Sequence, residues 1–132
     1  MKATLTVKKE ILKTISDAMT AFVSRNTEKA LSFYAKDKDV ISIGSEGEVV
    51  MGLPRLKKTF IATHRQFEKL SFKAKAYEVS ACGSVAWTSG VGIYNGVTGG
   101  KKFKLDGLFT FVFEKRNGRW LIMHSHYSVP AK

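Results

Sequence analysis

Two runs, residues 103–113 and 119–129, alternate with period two and are apolar on both sides. Successive side chains of a strand point to opposite faces. The first run sets Phe103, Leu105, Gly107, Phe109, Phe111 and Phe113 on one face, with Leu108, Thr110 and Val112 on the other. The second sets Leu121, Met123, Ser125, Tyr127 and Val129 on one side and Trp120, Ile122, His124 and His126 opposite. Asn117 and Gly118 lie between them, a pair suited to the positive φ angles of a tight hairpin, so the runs pair antiparallel. Neither face is polar enough to be left to water. Helices can cover one; the simplest cover for the other is a second copy in a two-fold homodimer, with Trp120, Ile122, His124 and His126 at its interface.

The helices come earlier in the chain. Over residues 6–24, Ile11, Leu12, Ile15, Ala18, Met19, Phe22 and Val23 recur at helical spacing and leave Lys9, Lys13 and Asp17 for water. Asn26 or Thr27 can cap a second, short helix that carries Ala30, Leu31, Phe33 and Tyr34 and ends near Lys36. Apolar bursts at 40–43 and 48–51 flank Gly44 to Gly47 and read as a small hairpin. A third helix opens at Leu53 and Pro54, with Leu56, Phe60, Ile61, His64 and Phe67 on its apolar face. After Leu70 the period changes to two, and four strands follow, divided at 82–84, 95–100 and 117–118. The pattern predicts one α+β domain over residues 1–132, a curved mixed or antiparallel sheet with three N-terminal helices packed on its concave face.

Charge decides less than its size implies. The formal net charge is +11, with 22 Lys and Arg against 11 Asp and Glu. The basic residues fall in short groups along the chain, at Lys8 and Lys9, Lys57 and Lys58, Lys73 and Lys75, Lys101, Lys102 and Lys104, and Lys115, Arg116 and Arg119. With no dense tail or basic helix they read as solvated faces, and a nucleic-acid partner is disfavoured unless several groups converge in space. The chain has no apolar run long enough to cross a bilayer and no secretory h-region, so a cytoplasmic location and no membrane partner are expected. Its single cysteine, Cys82, agrees with a reducing compartment and has no neighbouring base to activate it.

The segment FTFVFEKRNGRWLIMHSHYSVP, residues 109–130, resembles the SnoaL-like branch of the nuclear transport factor two-like superfamily, which includes ketosteroid isomerase and scytalone dehydratase. SFYAKDKDVISIG and MGLPRLKKTF look like the same branch. The resemblance implies a cone-shaped, cystatin-like α+β fold with a pocket at its open end, usually dimeric through the outer sheet face. It also allows a residue-by-residue comparison. Ketosteroid isomerase needs a carboxylate base with a Tyr and a protonated Asp as oxyanion donors. Its pattern lays the Tyr on Ala18, the base near Ser42 and the Asp near Phe109, leaving Asp39 and Asp106 as the nearest carboxylates. That mechanism is disfavoured. A dehydratase of the scytalone type wants a buried histidine, for which His64 is the helix candidate and the one weak candidate for catalysis.

The expected pocket wall is Phe22, Trp87, Phe109, Phe111 and Met123, with Tyr34, His64, Ser125 and Tyr127 as polar contacts. His124 and His126 have zinc-ligand spacing, but no third donor lies near them in sequence, so packed histidines are expected and neither metal nor cofactor. There is no phosphate loop, dinucleotide fingerprint or serine elbow. The first functional expectation is a protein that binds a small, partly apolar molecule in the cone. The alternatives are an isomerase, cyclase or dehydratase that uses a pocket His or Asp, and an oligomerisation module.

Overall fold

The first helix, α1 (Leu5–Val23), begins where the Thr4 hydroxyl accepts a hydrogen bond from the Val7 N–H at 3.2 Å. The computed structural model describes residues 1–131. The second helix, α2 (Thr27–Leu31), is capped by Asn26, whose side chain accepts from the Lys29 N–H. Its expected end near Lys36 is not reached, because the next residues turn to the sheet instead. The Ile122 N–H donates to the Phe33 carbonyl at 2.8 Å, and the Ala35 N–H donates to the Ile122 carbonyl at 3.0 Å. These bonds satisfy backbone groups that a longer helix would have used.

Strands β1 (Ile41–Ile43) and β2 (Val49–Met51) form the small hairpin. Gly52, at φ +82°, turns the chain into α3 (Leu53–Gln66), with Pro54 in its first turn. Four long strands follow: β3 (Lys69–Cys82), β4 (Val85–Thr98), β5 (Lys101–Arg116) and β6 (Arg119–Ser128). The break expected over 95–100 narrows to Gly99 and Gly100, since residues 95–98 stay in register with 101–104. All six strands form one sheet in the order β2-β1-β6-β5-β4-β3. It is mixed, because β1 runs parallel to β6 while every other pair is antiparallel. β2 and β3 are its two ends and do not meet, so the sheet stays open.

The helical layer has two tiers. Ile11, Ile15 and Ala18 of α1 pack with Val79, Ala86, Phe109, Phe111, Phe113, Trp120 and Ile122 in the main core. A second cluster, Ala21, Ala30, Leu31, Leu56 and Phe60, joins α1, α2 and α3. α1 thus lies on the sheet, whereas α2 packs on α1 and α3 packs on α2 and β2. Among the described residues, no helix is long and apolar enough to cross a membrane.

β6 departs from simple alternation. Val112 pairs with His124 but Phe113 pairs with Ile122, so Met123 is an extra, bulged residue. The bulge reverses which side faces in. Trp120 and Ile122 are 5% and 0% exposed and belong to the core, together with Ser125 beyond the bulge. The expected interface assignment of Trp120 and Ile122 is therefore wrong: an extra residue between them and His124 puts the two pairs on opposite faces. The Trp120 indole N–H donates to a Glu10 carboxylate oxygen of α1 at 3.1 Å, which fixes it under the helix.

Candidate functional site

Where α1 and α3 diverge from the sheet, a cavity of about 260 Å³ remains, close to the lower end of cavities that hold small ligands, ~300 Å³. Its inner wall is apolar: Ala18 and Phe22 of α1, Phe60 of α3, Phe109 and Phe111 of β5, and Ile122 of β6. The β1–β2 hairpin supplies Gly44, Ser45, Glu46 and Glu48 along one side, and both glutamates are exposed. Phe67 and Phe103 stand together on the opposite side, with ring centroids 5.1 Å apart.

The polar groups on the wall are mostly hydroxyls. The Tyr127 hydroxyl donates to the Gly92 carbonyl at 2.7 Å, with the Leu105 carbonyl 3.3 Å away, and is committed to the sheet. The Ser125 hydroxyl donates to that of Ser42 at 3.1 Å, across the parallel β1–β6 pair. Tyr34 hydrogen-bonds Ser125, and burial pushes its phenol up to about 12 against the opposing effect of that bond. Tyr94 packs on Tyr127 edge-to-face, with centroids 5.1 Å apart. Its phenol is raised further, first by burial and then by Tyr34 and Tyr127 nearby. Burial likewise raises Tyr127, with Asp106 adding to it. At neutral pH these three phenols are neutral groups.

Six expected pocket residues, Phe22, Tyr34, Phe109, Phe111, Ser125 and Tyr127, come together here. Three do not. His64 faces α1 and α2: its Nε2 lies 2.7 Å from the Phe22 carbonyl oxygen and its Nδ1 3.5 Å from the Thr27 hydroxyl. A carbonyl only accepts, so Nε2 carries the proton and Nδ1 faces the hydroxyl donor. Trp87 pairs with Ser80 and Val112 on the outer face, because its neighbours Ala86 and Thr88 are the residues that turn inward. Met123 is the bulged residue, with its sulfur 3.8 Å from Arg116 Nη2.

Tyr94, Phe60, Phe72 and Ser42 also line the cavity and were not foreseen. A signal for Tyr94 existed. Ala86, Thr88, Gly90 and Gly92 precede it at every second position, a row of small residues that leaves space above β4. Ala18, Ser42 and Phe109, where the isomerase pattern falls, all line the cavity, and none is an acid. Asp106 points away, 3.7 Å from Lys104 Nζ. The described residues contain no group of three or more His, Cys, Asp or Glu placed to hold a metal ion.

Behind the site, Arg116 of β5 donates to both carboxylate oxygens of Asp37, from Nη1 at 2.5 Å and Nη2 at 2.8 Å, and to Glu114 at 2.7 Å. This clamp ties the segment that enters β1 to the long strands.

The family model described as the SnoaL-like domain matches residues 11–132. A search of curated proteins finds no match. Among solved structures, the chain is similar to a nuclear transport factor 2-like superfamily protein from Salmonella enterica, with a TM-score of 0.88 and 24% identity over 98% of this chain and 95% of that one. It is similar to a cystatin-like-fold protein of unknown function from Nostoc punctiforme, with a TM-score of 0.81 and 18% identity over 100% and 97% of the two chains. A provisionally assigned scytalone dehydratase from Novosphingobium aromaticivorans gives a TM-score of 0.85 at 14% identity, over 96% and 86%. At these identities the likeness concerns the fold alone.

Proposed function

The chain belongs to the SnoaL-like domain family, and we propose that it holds a small, uncharged, largely apolar molecule in the cavity, gripped at one polar end by Tyr34, Tyr94 and Ser125. The observation that carries this reading is the state of the buried polar groups: they are hydroxyls, and burial keeps the phenols of Tyr34 and Tyr94 protonated. Neutral hydroxyls donate to a carbonyl or ether and accept from a hydroxyl, but do not exchange a proton readily at neutral pH. The apolar wall then supplies affinity, and the hydroxyls supply orientation.

The enzymatic reading draws on the likeness to the scytalone dehydratase-type protein from Novosphingobium aromaticivorans. It needs a titrating group that faces the ligand. His64 is taken up by Phe22 and Thr27, and the acid and histidine side chains that do line the cavity, Glu46, Glu48 and His126, are all exposed. These facts favour binding over turnover. A second copy remains our proposal for the cover of the outer face, now through Trp87, Val112 and His124, which share one row of the sheet. Sedimentation that shows a monomer at micromolar concentration removes it.

The test of the binding reading is a thermal-shift screen with uncharged one- and two-ring compounds, run on the native chain, Tyr34→Phe and Ser125→Ala. Hits should stabilise the native chain and lose most of their effect in the variants. Hits that stabilise all three proteins equally remove the proposed contacts.

A further inference from the structure

The lysines that look scattered in sequence meet on one face of the sheet. Strand register sets Lys69 beside Val97 and Val97 beside Lys102, and it sets Ser71, Asn95 and Lys104 in the next row. Lys73, Ile93 and Asp106 follow, then Lys75, Val91 and Leu108. Residues paired across strands share a face, and this one is opposite the cavity, since Gly92 and Gly107, in register between these rows, lie on the cavity side under Tyr127.

All five lysines are exposed. Three acids share the face: Asp106, 3.7 Å from Lys104 Nζ, Glu78 at the far end, 4.0 Å from Lys2 Nζ, and Glu114 beyond the Trp87 row, 2.7 Å from Arg116 Nε. The face is therefore strongly positive over three adjacent strands. Lys69, Ser71, Asn95 and Lys102 also line one shallow depression, which Arg25 joins and to which Glu68 adds one acid, its carboxylate accepting from the Gly100 N–H at 2.8 Å. The Arg25 guanidinium donates to the Phe67 and Glu68 carbonyls, and among the described residues it forms no ion pair.

We propose that this lysine-bearing half of the outer sheet face binds the phosphodiester backbone of a single-stranded nucleic acid. Lys73 and Lys75 are two residues apart on β3, as are Lys102 and Lys104 on β5, so each pair is spaced about 6.6 to 6.8 Å along its strand. The two rows stand about 10 Å apart, with β4 between them. Asn95 lies in that strip and Ser71 beside it in the β3 row, and both add neutral hydrogen-bonding groups. At the end of the β3 row, the register shift between Ala76 and Glu78 leaves Tyr77 as the bulged residue, 63% exposed. An exposed phenol next to a cationic row is what a stacked base requires. A lipid surface is the poorer match, because the β4 apolar residues of these rows, Val91, Ile93 and Val97, are half-buried and Leu108 beside them is a single exposed aliphatic side chain, not an anchoring cluster. Two copies stacked on this half would bring like charges together, which leaves it free beside the Trp87 row.

The test is fluorescence anisotropy with a labelled oligothymidylate, titrated over a range of salt. Binding should weaken with a log–log salt slope of about −2 to −3.5, at roughly −0.7 per phosphate neutralised. Lys73→Glu with Lys102→Glu should reduce affinity at least tenfold. Lys9→Glu with Lys58→Glu, the same charge change at exposed helical positions, should reduce it less than threefold. Tyr77→Ala should weaken binding without changing the slope. Thermal melts of each variant show whether it is folded. The proposal is overturned if the native chain does not bind, if both double variants lose affinity equally, or if the chain binds anionic phospholipid vesicles and not the oligonucleotide.

Discussion

Gly92 stands directly opposite Gly107 in the β4–β5 ladder, and the Tyr127 ring occupies the space that their missing side chains leave. A Cβ on Gly107 would lie 2.4 Å from the Tyr127 ring and 2.6 Å from the Ser128 carbonyl oxygen. A Cβ on Gly92 would meet Phe72 at 2.7 Å and Tyr127 at 3.1 Å. The pair is a seat for the tyrosine that closes one wall of the cavity. Gly107→Ala should therefore destabilise the fold by about 1–3 kcal/mol, the usual cost of overpacking. Urea unfolding should show a lower midpoint with an unchanged slope; an unchanged midpoint would mean that Tyr127 moves aside freely.

The Arg116 clamp predicts acid sensitivity. The guanidinium holds the Asp37 carboxyl below its ordinary 3.8, mainly through the side-chain hydrogen bonds. A group with a depressed folded pKa contributes stability above its unfolded value, and the contribution is lost as pH falls through the folded one. Asp37→Asn should therefore lower the melting temperature at neutral pH and flatten its dependence on pH below that aspartate value. The check is a set of melts of both proteins across the acid range. A parallel pair of curves would refute the linkage.

The buried phenols predict the opposite limb. Tyr34 ionises at 10.0 when unfolded and at about 12 in place, so the folded state keeps its proton longer. Its contribution is complete below 10.0 and is lost as pH rises towards about 12. Tyr34→Phe should reduce the steepness of alkaline unfolding followed by tyrosinate absorbance. Equal steepness in both proteins would show that Tyr34 is solvated.

Filling the cavity separates binding from stability. Ala18 is 5% exposed and lines the wall beside Phe109. Ala18→Leu should weaken binding of an uncharged solvatochromic dye at least tenfold, or about 1.4 kcal/mol. Its melting temperature should change little if the added methyl groups take up empty space. Unchanged dye affinity would place the dye elsewhere.

The α2 cap offers a local check on the helical tier. Asn26 accepts from Lys29 N–H at 3.2 Å, and Asn26→Ala should cost about 1 kcal/mol in chemical unfolding. No measurable loss would mean that water replaces the cap.

The strands were legible because alternation is a local signal: Phe109, Phe111 and Phe113 read as one buried face and are one. The β6 face was not legible past Ile122, since nothing in the composition of LIMH marks Met123 as the residue that slips; the partner strand decides it. Trp87 misled for a related reason. Its size implies burial, but the small residues Ala86 and Thr88 beside it are the ones that fit under the helices. His64 lies on the apolar stripe as read, yet a stripe does not say which neighbour it meets, and that neighbour is α1, away from the hollow. The lysine face escaped because it depends on β3, β4 and β5 being in register, a long-range fact that no local spacing contains.

The parallel join between β1 and β6 brings Ser42 next to Ser125, residues 83 apart in the chain. During synthesis the hairpin at 41–51 must wait, without its neighbour, while the whole meander is made. The hollow is thus completed only when β6 docks, so a nascent chain stalled before that strand has an unfinished receptacle and exposes apolar side chains to chaperones.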